Sequence, residues 1–500
     1  MIDLKQVKAL LNKKNPAITK TSKPKDSYNK AGEIIKYKAL NRPKDFHILK
    51  IAKPLFDYQL DGVYFIDRQK GRAILGDDMG LGKTAQSLGY LQLHPNDRLV
   101  LVVCPATLKL NWAKETFMWL ERREENRVYV VSGKIKKSIQ EVYLSGSGDL
   151  KFQEIKNIPK TGIIIINYDI LFDWHLVLKA AGIKILILDE VQAIKSIKAT
   201  RTKATIKLSK NIPKVIAVTG TLIENRPIDA YNAINIVEPN LFPSRWEFAK
   251  RYCDLKANGF GMTKNGATNI PELFQKLSAI MIRRLKGDVL KDLPRLIRTA
   301  IPLEIDNMNV YKAIKADRTL DHLSRSEKLS QTAALGKLEA ALNWIEDYLE
   351  SGLKLVVFAN HRKIVDLVYE EFKDNTVRIY GGMSLNERNK AVEEFQNNPK
   401  IKLLSGNIIA AGTGLTLTAA SATATIEILS HSPAKHLQAE DRVNRIGQLA
   451  DCIFAYYFVG INTCDEDNLK ELEAKSKIID QALDGVEENE TSIFNDLIGA

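Results

Sequence analysis

Short, almost wholly apolar runs at regular intervals constrain this chain more than any other feature. Between residues 72 and 219 the runs RAILG, LVLVVC, VYVVS, GIIIIN, KILILD and KVIAVT alternate with helix-like stretches such as NWAKETFMWLERR. A strand with one wet face alternates polar and apolar residues. A run that is apolar throughout is buried on both faces, as in a parallel sheet covered by helices. A second series starts at 353 with LKLVVFA, VRIY, KLLS, TATIEIL and CIFAYYFV. The helix after its first strand places Ile364, Leu367, Val368 and Phe372 on one face. The pattern predicts an α/β fold of two tandem lobes, parallel sheets covered by helices. The lobes are read at 51–240 and 346–465, with a basic helical insertion and hinge at 241–345 between them. A lysine-rich arm at 1–50 precedes them, and an acidic helical tail at 466–500 follows. In the tail, Leu469, Leu472, Ile479 and Leu483 form one stripe, which predicts that it packs back on the body.

Charge is unevenly placed. Residues 1–50 net +9 and residues 461–500 net −8, within a total of +13. A basic body with a basic arm suits a polyanion such as nucleic acid, although solubility alone accounts for the charge equally well. No run approaches the ~20 apolar residues of a membrane span, and the opening MIDLKQVKALLNKKN has no signal-like apolar core. Cys104, Cys253, Cys452 and Cys464 lie far apart with no C-x-x-C pair. That argues against a zinc knuckle or a disulfide framework and for a reducing compartment. The expectation is a monomer in the cytoplasm of a bacterium or a virus-infected host, or in the nucleus of a eukaryote.

The chemistry begins at GDDMGLGKT, residues 76–84, which joins an apolar strand to a helix. Gly80 and Gly82 let backbone amides and the helix N-terminus face an anion. Lys83 would reach the β- and γ-phosphates of ATP, and Thr84 would hold Mg²⁺. The usual phosphate loop has glycine six residues before the lysine, where this chain has Asp77; its carboxylate is expected to cap the loop. KILILDEV ends in Asp189 and Glu190, and a parallel sheet aims such strand ends at the phosphate loop. Asp189 would bind Mg²⁺ through water, and Glu190 would orient and deprotonate the attacking water. A solvated turn is the alternative. Upstream, the Gln59 amide has the donor and acceptor needed to read adenine, although a lone surface Gln is commoner.

With these stretches in place, the chain resembles helicase superfamily two, and more narrowly its Swi/Snf-type DNA-dependent ATPases. YQLDGV resembles the adenine motif, and GDDMGLGKT the family's DEMGLGKT loop, acid included. VVCPATLKLNWAKE, DEVQAIK and TGTLIEN follow in family order, then LVVFANHRKIVD, GTGLTLTAAS and QAEDRVNRIGQ. The match covers about 51–485. LFPSRWEFAKRYCD and MIRRLKGDVLKDLP look most like the annealing-helicase, fork-remodelling branch. The resemblance implies two RecA-like lobes, with Gly412 and Gly414 near the nucleotide and Arg442 and Arg445 reaching across the cleft to its phosphates. It also implies DNA-strand contacts at Thr107, Lys109 and Asn111 in the first lobe and at Asn360, Thr413 and Thr416 in the second. The basic RRLKGDVLK stretch would touch the opposing backbone. Trp112 and Trp119 share a helix face and read as core. Three departures stand out: Val191–Gln192 for the family's Ala–His, Asn444 for its His, and SHSPAKHLQ without Trp-Asn-Pro. The first is expected to retune coupling between hydrolysis and lobe movement.

The leading expectation is an ATP-driven translocase on duplex or junction DNA, blind to sequence, that remodels or reanneals forks, with replication or repair proteins as partners. A strand-separating DNA or RNA helicase is the second. A nucleic-acid-binding scaffold with an ATP-operated switch is the third.

Overall fold

The computed structural model describes residues 42, 43, 46, 51–133, 139–257, 262, 263, 266–290, 294–412, 414–430, 432–445 and 447–485. Most of the lysine-rich arm, Thr413 and the end of the acidic tail therefore lie outside the described residues.

In the first lobe the apolar runs form β1 (Arg72–Leu75), β2 (Val100–Cys104), β3 (Val128–Val131), β6 (Ile163–Asn167), β7 (Ile185–Asp189) and β8 (Lys214–Val218). Between β3 and β6 lie β4 (Ile139–Leu144) and β5 (Leu150–Ile155). β9 (Lys256–Ala257) and β10 (Met262–Thr263) make a separate small hairpin, and β11 (Met281–Ile282) returns to the main sheet. The nine-stranded order is β11-β1-β8-β7-β2-β6-β3-β4-β5. All neighbours are parallel except β3–β4 and β4–β5. The sheet is thus mixed, not purely parallel. β4 buries Ile139 and Val142 whereas KFQE on the edge strand β5 is exposed throughout, and the short turn between the two favours antiparallel pairing.

The second lobe carries β12 (Arg295–Leu303), β13 (Leu355–Ala359), β14 (Thr376–Ile379), β15 (Leu403–Asn407), β16 (Ala422–Thr425) and β17 (Cys452–Gly460). Its order is β12-β17-β16-β13-β15-β14, parallel throughout. The stretch 241–345 is mostly helical, and it also supplies an edge strand to each sheet, β11 to the first and β12 to the second. On the helix Arg362–Glu371 the buried stripe is Ile364, Val365 and Val368, whereas Leu367 is exposed.

A 21-residue helix, Cys464–Asp484, spans both lobes. Leu469 and Leu472 sit in the core beside β17, while Ile479, Ala482 and Leu483 enter the first lobe's core with Leu273 and Leu277. All four residues of the sequence-read stripe are buried. Among the described residues no helix is long and apolar enough to cross a membrane.

Candidate nucleotide site and interlobe cleft

The loop between β1 and the helix Lys83–Leu93 is built for an anion. Gly80 and Gly82 adopt φ of +83° and +74°, a left-handed geometry that costs a residue with a Cβ about 1–2 kcal/mol. At Gly82 a Cβ would also strike the Gln59 amide. No side chain caps the N-terminus of that helix, so its first amides face the loop. Lys83 Nζ donates to the carbonyls of Asp77 (2.7 Å) and Asp78 (3.0 Å). Burial lowers its pKa, opposed by Glu190, Asp77, Asp78 and Asp189. Gln59 is buried against the same loop, its Nε2 donating to the Leu81 carbonyl at 3.3 Å.

Asp77 does not cap the loop by itself. It is fully buried in an ion pair with Arg284, whose Nε lies 2.8 Å from Oδ1 and whose Nη2 bonds Oδ2. Gln86 Nε2 donates to the same carboxylate at 2.9 Å. The strand β11 delivers Arg284 and its neighbour to this point. Arg283 donates to the carbonyls of Gly76 (2.9 Å) and Gly220 (3.1 Å) and pairs with Asp484 at the end of the long helix. Lys286 Nζ reaches Asp441 and the Asn444 carbonyl, both at 2.6 Å. The RRLK stretch, read from sequence as a DNA contact, is therefore turned inward. Its cations answer carboxylates that strand and loop have already buried.

At the end of β7, Asp189 and Glu190 take different environments. Asp189 Oδ2 accepts from Trp112 Nε1 at 2.7 Å, and Oδ1 accepts from the Glu190 amide at 3.0 Å. Burial and the neighbouring Glu190 push its pKa up to about 7. Trp112 is thus core, as read, and also orients this carboxylate. Glu190 holds a left-handed backbone (φ +50°), local strain that aims its side chain off the strand. Gln192 Nε2 donates to Glu190 Oε2 (2.6 Å), and its Oε1 accepts from Thr219 Oγ1 (2.7 Å). The relay joins the ends of β7 and β8.

The second lobe presents the helix Pro433–Glu440 and the turn after it. Arg442 is 2% exposed and, among the described residues, donates to the carbonyls of Gln438 (2.9 Å) and Leu415 (3.3 Å) and to Met79 Sδ of the glycine loop at 3.7 Å. Burial and Arg445 bring its pKa down to about 9. Arg445 donates to the Asp441 carbonyl (2.9 Å) and Thr416 Oγ1 (3.1 Å), and a Cβ at Gly80 would lie 3.8 Å from its Cγ. Neither guanidinium forms an ion pair with a described residue. Two desolvated cations against an amide-lined loop lack one thing, an anion. Gln438, spaced to share their face, has a buried amide with neither atom bonded. Sequence reasoning quoted it without singling it out. The residues present thus fit a triphosphate.

Of the DNA-contact candidates, Thr107 and Asn111 line a cavity of about 420 Å³ between the lobes, together with Gly414. Lys109 is bonded to the Val131 carbonyl at 2.9 Å. Asn360 lines a different cavity, of about 220 Å³, beside Lys435 and Glu224. Thr416 touches Arg445, and Thr413 lies outside the described residues. Gly412 follows a short helical turn, where a Cβ would clash with the Ile408 carbonyl. Trp119 is half-buried and bonds Glu115.

The SNF2-related domain model matches residues 58–350, and the helicase conserved C-terminal domain model matches 336–447. The chain belongs to the SNF2-related family. The mouse DNA annealing helicase and endonuclease ZRANB3 is 30% identical over 469 residues, covering 89% of this chain and 42% of the relative. SWI/SNF-related matrix-associated actin-dependent regulator of chromatin subfamily A-like protein 1 of Xenopus tropicalis is 31% identical over 450 residues, covering 87% and 45%. The chain spans about half the length of these relatives. The solved Sulfolobus solfataricus SWI2/SNF2 ATPase core in complex with dsDNA is 26% identical, covering 85% of this chain and 93% of that one, at a TM-score of 0.42. Within this SNF2-related chain, the motif departures acquire physical content. Gln192 makes two side-chain amide bonds, whereas Asn444 accepts from Lys286 only through its main-chain carbonyl and its Oδ1 is buried without a hydrogen-bond partner among the described residues.

Proposed function

We propose that this protein is an ATP-dependent translocase on double-stranded DNA that remodels or reanneals forks and junctions. The observation that carries the reading is the contact of Arg442 with Met79 in the glycine loop of the other lobe, with Arg445 close beside Gly80. The nucleotide pocket is composite, so its completion depends on lobe closure.

Each residue then has a role. Lys83 and the loop amides hold the β- and γ-phosphates, and Gln59 stands where an adenine edge would be read. Glu190, braced by Gln192, positions and deprotonates the attacking water. Arg442 and Arg445 neutralise charge that develops on the γ-phosphoryl group, an effect of about 10³–10⁵ in rate where such arginines have been removed. The Thr84 hydroxyl and, through water, the Asp189 carboxylate are hard oxygen donors suited to Mg²⁺, which when bound neutralises phosphate charge. Loss of the γ-phosphate removes the partner of the two arginines, and the lobes part. If each lobe grips one strand, the cycle moves the protein along it.

The names of the animal relatives, an annealing helicase and a chromatin regulator, support work on DNA in replication or repair, in a nucleus if the cell has one. The test is ATP turnover across duplexes, forks, single strands and RNAs. Best stimulation by duplex or forked DNA supports the reading, and best stimulation by RNA or single strands favours a strand-separating helicase. Lys83→Ala should abolish turnover while leaving DNA affinity nearly unchanged. Turnover equal to wild type in that variant rejects the assignment.

A further inference from the structure

The cavity of about 420 Å³ between the lobes is lined by a cation that no described residue pairs with. Arg388 lines it from the helix Leu385–Asn397 and is 6% exposed. Its Nε and Nη1 are buried without a hydrogen-bond partner, and it forms no ion pair with a described residue. Burial alone lowers its pKa. A desolvated, unpaired guanidinium is costly to fold around, and an arriving oxyanion removes that cost. Among the described residues lining the cavity the one carboxylate is that of Asp149, which is engaged by Ser147 Oγ at 2.6 Å; Lys114 also lines it.

The apolar part of the lining comes mainly from the β4–β5 hairpin of the first lobe. Val142 pairs with Phe152 and Leu144 with Leu150, so these side chains share one face of the ribbon. Val142 is anchored in the first lobe's core. Leu144, Leu150 and Phe152 line the cavity, and Phe152 is 45% exposed. An aromatic ring from the first lobe and a guanidinium from the second line one cavity with Lys114 and the Asn111, Asn386 and Asn389 amides, the chemistry that takes one nucleotide: phosphate on the cation, base on the ring. The volume lies within the ~300–1,000 Å³ of small-ligand sites and is too small for a duplex.

We propose that this cavity seats a single unpaired nucleotide of a DNA strand, its phosphate on Arg388 and its base against Phe152. A strand rather than a free nucleotide is the occupant, because the cavity is continuous with Thr107 and Asn111 of the first lobe and Gly414 of the second. The proposal rests on the DNA-acting reading above. It adds to duplex tracking a site that an unpaired segment at a fork or junction would fill.

The test compares affinities for oligo(dT) and for a wholly abasic strand of equal length. Wild type should prefer oligo(dT) by about 5- to 150-fold, the range expected for stacking one base. In Phe152→Ala that ratio should collapse towards one; Phe152 is exposed, so the fold should survive. In Arg388→Gln both strands should weaken together, and the slope of log affinity against log salt should flatten by about 0.7. An undiminished oligo(dT) preference in Phe152→Ala, or an Arg388→Gln effect alone, overturns the seat, the latter leaving only a backbone contact. Displacement of the oligomer by thymidine monophosphate at equal concentration overturns the commitment to a strand. Duplex-stimulated turnover by the same wild-type preparation separates the two readings. Its absence sinks both, whereas its presence with an unchanged Phe152→Ala ratio sinks only this one.

Discussion

The two walls of the cleft treat buried charge in opposite ways. On the first lobe's wall three acids have an internal cation: Asp77 has Arg284, with Gln86 beside it, Asp78 has Arg283, and Glu224 has Lys195. On the second lobe's wall Arg442, Arg445 and Arg388 face the cleft with no carboxylate of their own. The paired wall is finished before any ligand arrives and fixes the geometry of the loop. The unpaired wall is incomplete in the protein alone, and in the function proposed above phosphates supply the missing charges. Preorganisation is therefore concentrated in one lobe and demand for ligand in the other, which is what makes closure depend on what is bound.

The contrast breaks most sharply at Arg442. Arg442→Gln should lower DNA-stimulated turnover by about 10³–10⁵ while leaving the melting temperature of the unliganded protein the same or higher. A large loss of stability would mean that Arg442 is structural and the second wall is not waiting for an anion. Arg284→Ala should do the reverse. It strands the Asp77 carboxylate in the core and should cost about 3–5 kcal/mol in urea unfolding. A loss below about 1 kcal/mol would show that water or a rearranged cation replaces Arg284. Next in size is Gln192→Ala, which removes a bond to an ionised carboxylate of about 1.5–3 kcal/mol and should reduce turnover about 10- to 100-fold with little change in nucleotide affinity. A pure affinity defect would move Gln192 out of the relay.

These tests also mark what the sequence could reveal. The buried strands β1, β2, β3, β6, β7, β8, β13 and β17 announced themselves as apolar runs, because burial on both faces leaves little room for polar alternation. The nucleotide loop and the DE pair were legible for the same reason, since strand–loop–helix context fixes where they point. Asp77 was not legible. Its partner Arg284 is 207 residues away, and only the β11–β1 pairing brings them together. The inward turn of the RRLK stretch was hidden likewise, because a two-residue edge strand has no periodicity and a basic run reads as solvated. The β4–β5 hairpin escaped because EVYL and KFQE alternate weakly and carry no NG or DG turn between them. Arg388 sits in an ordinary amphipathic helix, and nothing local shows that it lacks a partner.

The smallest expected effect lies where the long helix meets the paired wall. Asp480 is 7% exposed, one turn before Asp484, with Ser476 Oγ 3.3 Å from its carboxylate. Burial first and Asp484 second push its pKa up to about 7, against an attraction from Arg283. An unfolded aspartate titrates near 4. Between those values the folded protein holds a proton that the unfolded chain has released, so stability falls as pH rises. The contribution is complete below about pH 4, is lost by about pH 7, and is flat above. Asp480→Asn is neutral throughout and should be more stable than wild type at pH 8 by roughly 1–3 kcal/mol, with the gain shrinking towards pH 4. Urea unfolding at pH 8, 6 and 4.5 checks both sign and slope. A variant less stable than wild type at pH 8 would mean that the folded protein stabilises the Asp480 carboxylate through Arg283, shared with Asp484, and does not raise its pKa. The paired wall would then hold three carboxylates on one guanidinium, and the helix that straps the lobes would be fastened more tightly, not less, as the carboxylates ionise.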